Sequence, residues 1–201
     1  MADLFSSVNQ YATGDVALRT PLFDKAPVKG ARIELAELPI AGHFNLRVDP
    51  ANADAMKRAS DCVGVALPTQ PLSSVEANGT RVHWVAPDEW YVLMPRDKAA
   101  DFEVAFREAM SGLHYSIVDV SGGQTVLSLS GQGAREVLMK GAAVDVHDSA
   151  FPVGKVVGTA IAKSSGMIVR TGDESYELLI RRSFANYLWD WLSDASQEFV
   201  Q

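Results

Sequence analysis

Two short runs share one pattern. Asp88-Glu89-Trp90-Tyr91-Val92-Leu93 and Asp173-Glu174-Ser175-Tyr176-Glu177-Leu178 both read D-E-x-Y-x-L, an offset of 85 positions (88 to 173). In each copy a polar turn leads into a strand pattern and then a helix-like stretch, which after the second copy carries Phe184, Leu188, Trp189 and Trp191. Self-similarity at a fixed spacing limits the fold before any other reading: the chain is two related halves packed together.

The rest of the chain supplies the grammar of each half. Residues 1–30 carry little periodicity and are punctuated by Thr20-Pro21, Ala26-Pro27 and Lys29-Gly30, so an extended arm is expected there. Residues 31–201 form the expected domain, with pseudo-repeats 31–113 and 114–201. In the first, Ile33, Leu35 and Glu37 mark a strand, Pro39-Ile40-Ala41-Gly42 a turn, and Phe44, Leu46 and Val48 the return strand. Asp49-Pro50 suits a helix start, with Asp as N-cap and Pro at the first helical position; the helix runs through Ala55, Met56, Ala59 and Val63 to Gly64. Residues 64–79 read as a long loop. Strands at 81–86 and 90–94 then turn at Pro87-Asp88, followed by a helix over 98–111 with Phe102, Phe106, Ala109 and Leu113 on one face.

The second repeat follows suit. A strand over 115–121 meets Gly122-Gly123 as a hairpin turn, and 125–129 return. A helix through Ala134, Val137 and Leu138 ends at Gly141, strands follow at 157–162, 167–171 and 176–181, and a last helix places Phe184, Leu188, Trp191, Ala195 and Phe199 on one stripe. Each half is hairpin–helix–hairpin–helix, an α+β architecture of antiparallel sheets with helices packed on them.

Composition narrows the function. The 201 residues are 47% hydrophobic and 21% charged, enough for one compact core without a metal or disulfide. A formal net charge of −7 argues against a phosphate-backbone partner. The single cysteine, Cys62, and an N-terminus without a basic, apolar leader fit a reducing cytoplasmic setting.

The residues also carry a resemblance. Ser128-Leu129-Ser130-Gly131-Gln132-Gly133-Ala134-Arg135-Glu136-Val137-Leu138 and Arg170-Thr171-Gly172 through Tyr176-Glu177, with Leu188-Trp189, are similar to segments of the folate-binding aminomethyltransferases of the glycine cleavage system. A closer resemblance is to the gamma subunit of heterotetrameric sarcosine oxidase. It is carried by His83-Trp84, Asp88-Glu89-Trp90-Tyr91, Asp145-Val146-His147, Phe151-Pro152-Val153-Gly154, Thr159, Arg181-Arg182-Ser183-Phe184-Ala185 and Trp189-Asp190-Trp191-Leu192, in that order. The resemblance spans about residues 30–195 and implies an aminomethyltransferase-like folate-binding-domain fold. It also implies an accessory subunit of an enzyme that demethylates sarcosine to glycine with O2, giving H2O2 and formaldehyde or 5,10-methylenetetrahydrofolate. The implied partners are the alpha, beta and delta subunits, and the implied cofactors, FAD, FMN, NAD, tetrahydrofolate and zinc, belong to those partners.

Departures from the aminomethyltransferases matter as much. Those enzymes open a strand with a Gly-Gly turn and an Asp pair, one Asp being the acid near folate. The comparable openings here, Gly79-Thr80-Arg81-Val82-His83 and Gly166-Met167-Ile168-Val169-Arg170, hold no carboxylate pair, and the stretch 171–177 is shortened. Fold is implied and folate chemistry is not.

Every other candidate has a plain structural reading beside it. Asp145, His147 and Asp148 lie close together but no second cluster joins them, so a polar loop is expected rather than a metal site. His43, His83 and His114 fall in strands and read as half-buried side chains. Gly131-Gln132-Gly133-Ala134-Arg135-Glu136 is half a dinucleotide fingerprint with Glu136 in the third glycine's place. Ser121 and Ser130 lack a G-x-S-x-G elbow. Cys62, at a helix end, reads as a packed thiol. Asp173, Glu174 and Glu177 are either remnants of a folate site or a solvated turn. Trp189 and Trp191, two apart on a helix, point to different faces, one into the core and one toward solvent or a partner. No catalytic, cofactor-binding or metal residue is assigned. Beside the accessory subunit stand a free-standing folate-binding protein of the aminomethyltransferase superfamily and a small homo-oligomeric binding module.

Overall fold

A computed structural model describes residues 18–201. In chain order these form β1 (Val28–Lys29), β2 (Glu34–Glu37), β3 (Ala41–Val48), α1 (Ala53–Val63), β4 (Ser74–Ala77), β5 (Thr80–Ala86), β6 (Glu89–Pro95), α2 (Ala99–Ala109), β7 (Tyr115–Asp119), β8 (Gln124–Ser130), α3 (Ala134–Met139), β9 (Val156–Ile161), β10 (Ser164–Gly172), β11 (Ser175–Arg181) and α4 (Ala185–Ala195). The fold is α+β, with two wholly antiparallel sheets in the orders β4-β5-β6-β3-β7 and β1-β2-β8-β11-β10-β9.

Alternation along the strands builds layers. Val92 and Met94 of β6 join Phe44, Leu46, Ala55, Ala59, Phe102 and Phe106 in a core between the first sheet and α1 and α2. Leu178 and Ile180 of β11 join Leu127, Leu129, Val137, Leu188 and Leu192 in a second core beneath α3 and α4. The intervening residues, Leu93 of β6 and Val126, Val169 and Leu179 of the second sheet, form a third cluster where the sheets face one another. The order across the molecule is helices, sheet, sheet, helices.

The expected first hairpin of each half does not form. β2 pairs with β8, as in Leu35 opposite Leu129, whereas β3 pairs with β6 and β7, as in Leu46 opposite Ile117. Gly122-Gly123 therefore links strands of different sheets instead of closing a tight hairpin. Each half gives its first strand to the other half's sheet. Alternation identified these strands, but periodicity carries no information about which neighbour a strand takes.

The duplication is also one residue out of the register read from D-E-x-Y-x-L. Trp90 and Tyr176 both face a helix-side core, while Tyr91 and Glu177 both face the inter-sheet side. The true offset is 86 (90 to 176), and the shared tyrosine letter pairs residues on opposite faces, as a one-residue slip must.

Other boundaries shift for local reasons. Asn52 caps α1 by accepting from Ala55 N at 3.0 Å, three residues past Asp49, which instead closes a turn onto Ala51 N at 2.9 Å. Gly64 ends α1 in the left-handed region, φ 78. The loop over 64–79 contains β4, which turns onto β5 at Asn78-Gly79 with φ 53 and 76, the left-handed pair that a two-residue hairpin needs. On α4 the buried stripe is Ala185, Leu188, Trp189, Leu192 and Ala195; Phe184 lies just outside, 43% exposed, and Trp191 is half-buried over Gly141. Of the expected arm, residues 1–17 lie outside the described residues. Residues 18–30 are docked: Leu22 is 2% exposed in the second core, and β1 pairs with β2.

The halves also meet at the loops before β4 and β9. Ser74 N donates to Gly154 O at 2.7 Å, and Val156 N donates to Leu72 O at 2.8 Å, flanking a Ser73–Lys155 bridge. These reciprocal bonds are what an internal two-fold would produce.

Because each sheet needs a strand from the other half, fragments 18–113 and 114–201 expressed separately are expected to lack a cooperative thermal transition and to regain it on co-expression, as read by circular dichroism. Gly131 sits at φ +105, where an added Cβ would lie 2.4 Å from the Arg32 carbonyl oxygen. Gly131→Ala is expected to lower unfolding free energy by about 1–3 kcal/mol in urea titration.

Candidate functional site

The strands that would carry a carboxylate in a folate enzyme turn toward the seam between the sheets. On β5, Val82 enters the helix-side core, so Arg81 and His83 face the seam. On β11, Glu177 lies between Tyr176 and Leu178, both in the other helix-side core, and so faces the same seam. Arg81 and Glu177 form an ion pair across the two sheets, their side chains 17% and 14% exposed. At offset 86 the positions matching Arg81 and Glu177 are Met167 and Tyr91, which pack against the apolar inter-sheet cluster. One copy of the seam is ionic and its counterpart is apolar.

Two histidines share this seam. His83 is fully buried; its Nδ1 and the Ser74 hydroxyl are 2.8 Å apart, and its Nε2 has no partner among the described residues. His43 is 4% exposed, and its backbone N–H donates to Ser121 Oγ at 3.0 Å. Burial, reinforced by the Arg81 charge, lowers the pKa of His43 to about 4 and of His83 to about 3. Burial raises the Glu177 pKa, and the Arg81 charge pulls against it. Both imidazoles are neutral at pH 7, far from the tuning that acid–base catalysis calls for. Ser74 and His83 form a serine–histidine contact that sequence spacing gave no hint of. The ring is fully buried, however, and among the described residues no carboxylate orients it.

The remaining candidates resolve one by one. Asp148 bonds Arg135 at 2.7 Å and Arg170 at 2.8 Å, its pKa lowered by those guanidiniums, and His147 faces Ser149 Oγ at 2.8 Å; the cluster around Asp145 is an ionic loop. Among the described residues no three His, Cys, Asp or Glu side chains could hold a metal ion. Arg170, 5% exposed, is held by the carbonyls of Phe151, Gly172 and Asp173. The half fingerprint has structural duties: Gly131 N donates to Glu174 O at 2.9 Å, Gly133 N to Arg32 O at 2.9 Å, and Gly133 abuts the Phe199 ring. Those N–H groups are not available to a phosphate. Ser121 Oγ donates to Asp119. Cys62 is half-buried, its pKa raised by burial and by Asp61. His114 immediately precedes β7 instead of lying within it. The three acidic residues of the shortened stretch separate: Asp173 and Glu174 line a cleft beside α3, and Glu177 is committed to Arg81. Among the described residues these three carboxylates do not converge, so they do not present the paired acids of a folate site.

A family model described as sarcosine oxidase, gamma subunit family, matches residues 46–198. The chain is 32% identical over 171 residues to the sarcosine oxidase subunit gamma of Corynebacterium sp. (strain P-1), covering 84% of this chain and 82% of that one. It is 32% identical over 170 residues to the subunit gamma of an Arthrobacter sp., with the same coverage. Among solved structures, the heterotetrameric sarcosine oxidase from Corynebacterium sp. U-96 in complex with pyrrole 2-carboxylate matches with TM-score 0.83 at 28% identity, over 92% of this chain and 97% of that chain. The glycine cleavage system aminomethyltransferase T from Bartonella henselae matches with TM-score 0.60 at 13% identity, over 82% of this chain and 46% of that chain, a likeness of fold.

Removing one member of the inter-sheet pair leaves the other charge buried. Arg81→Ala is expected to destabilise by about 3 kcal/mol, whereas Arg81→Met with Glu177→Tyr, the residues of the matching positions, is expected to recover most of that loss in urea titration. The histidines give a pH signature. Their folded pKa values lie below the ordinary 6.5, so their stabilisation is complete above pH 6.5 and is lost as pH falls toward about 4 and about 3. Glu177, raised when folded, offsets part of this in the acid range. The melting temperature is expected to fall below pH 6.5, with a shallower fall in His43→Phe.

Proposed function

Because the chain belongs to the sarcosine oxidase gamma subunit family, we propose that it is a non-catalytic accessory subunit of a heterotetrameric sarcosine oxidase, assembled with alpha, beta and delta subunits. The whole enzyme would demethylate sarcosine to glycine, passing electrons to O2 to give H2O2 and releasing the one-carbon unit as formaldehyde or as 5,10-methylenetetrahydrofolate. FAD, FMN, NAD, tetrahydrofolate and zinc would sit in the partner chains.

One observation carries the reading for this chain. The strand openings at Arg81 and Met167, where an aminomethyltransferase-like enzyme would present an acid, face Glu177 and Tyr91 across the seam. Side chains that could address a ligand are spent on holding two sheets together. What such a body offers a complex is shape and surface. Large apolar side chains stand exposed on three helical segments and the docked N-terminal stretch: Phe23 at 60%, Val104 at 59%, Met139 at 65% and Phe184 at 43%. Phenylalanine and methionine are enriched where protein surfaces meet.

The test is gentle affinity purification of the tagged chain from its native host. A yellow complex with stoichiometric larger subunits and sarcosine-dependent peroxide is expected. A colourless solitary chain, or one that binds tetrahydrofolate at micromolar affinity, would overturn the proposal and favour a free-standing folate-binding protein.

A further inference from the structure

At one end of the seam the two inter-sheet connections, Pro39-Ile40 and Ser121-Gly122, meet residues 18–21 around a cavity of about 120 Å³. Among the described residues its lining includes three arginines, Arg19, Arg96 and Arg182, and no carboxylate. That is an unusual balance in a chain of net charge −7. Arg96 and Arg182 hold matching places in the two halves, each directly following the last residue of β6 or β11. Arg96 is engaged by a partner of its own, and the charge is assigned to the other two. Neither Arg19 nor Arg182 makes an ion pair with a described residue. Arg19 lies over the Phe23 ring at 4.8 Å, and Arg182 Nη2 donates to the Arg19 carbonyl at 3.2 Å. These contacts position the two guanidiniums, while the carboxylates bonded to lining residues, Asp119 through Ser121 and Glu37 through Thr125, accept from those hydroxyls.

The cavity also reaches His43. This ring is buried, lines the cavity together with Gln124, and has no partner at Nδ1 among the described residues. An unpaired polar atom in so dry a place is costly unless something completes it. We propose that the cavity is a carboxylate-binding site, with Arg19 and Arg182 supplying charge and the His43 ring and Gln124 side chain fixing orientation. A guanidinium fork matches a planar carboxylate. Phosphate suits the cavity less well, because the nearby N–H groups of His43 and Gly123 already donate to Ser121 Oγ at 3.0 Å and Val120 O at 2.9 Å. The carboxylate is either that of a free small acid or the side chain of an Asp or Glu offered by a partner subunit.

The assignment goes beyond the subunit reading and is tested first on the full chain alone. Acetate and glutarate are titrated at constant ionic strength set by chloride, and the His43 ring resonances are followed by NMR together with the melting temperature. A saturable shift is expected, weakened at least tenfold in Arg182→Ala and in Arg19→Gln. No saturable response, an unchanged response in both variants, or inorganic phosphate binding more tightly than either acid would overturn it. The same titration on the purified complex separates the two sources. A site that stays open to acetate takes a free acid, and one that closes on assembly is filled by a partner's side chain.

Discussion

The exchange of first strands is the constraint on which the rest of this molecule depends. β2 leaves the N-terminal half to lie against β8, and β7 leaves the C-terminal half to lie against β3. Leu35 and Ile117, at matching places, are thereby buried in the core of the opposite half. Full burial of one such side chain is worth about 1.5–3 kcal/mol. The exchange also fixes how the sheets face one another, since the two crossing connections bring both sheets to the same end of the seam. With the loops before β4 and β9 bonded reciprocally at a separate contact, the halves have little freedom to slide.

The seam furnishes two matching positions in opposite ways. One location carries Arg81 and Glu177, and its two-fold mate carries Met167 and Tyr91. A buried ion pair is weak evidence for stability, because desolvation opposes the Coulomb attraction. Its value here is better sought in geometry. The pair ties β5 of one sheet to β11 of the other and lowers the proton affinity of the neighbouring histidines through the Arg81 charge. The polar equipment of the seam is thus turned inward, which agrees with a protein whose contribution to an assembly is form instead of reaction.

Much of this was legible from the residues, and what was not has physical causes. Strand alternation, Gly64 as a helix stop and the Pro87-Asp88 turn are local signals and located β5, β6 and α1 to within a few residues. Pairing is non-local: nothing in Ile33-Glu34-Leu35 distinguishes β3 from β8 as a neighbour. The repeated D-E-x-Y-x-L letters misplace the register by one because Tyr91 and Tyr176 are an accident of identity on opposite faces, and only burial separates them. β4 escaped notice because Pro68 and Pro71 dominate the segment that precedes it. The Ser74–His83 contact and the arginine cavity assemble residues from distant elements. No spacing rule could have gathered Arg19, His43 and Arg182.

The crossed connectivity has a consequence in time as well as in space. Leu35 leaves the ribosome long before its opposite number, Leu129, so β2 is made early and must wait for its place. At about 5–20 residues per second, that wait is on the order of 5–20 s. Throughout it, β2 lacks the strand that will join it to the rest of the second sheet, and β3 lacks the strand that will flank it. Such long-range pairing also slows the search for the native arrangement. A chain built this way completes itself late, and its neighbours in a growing assembly meet either a finished surface or none.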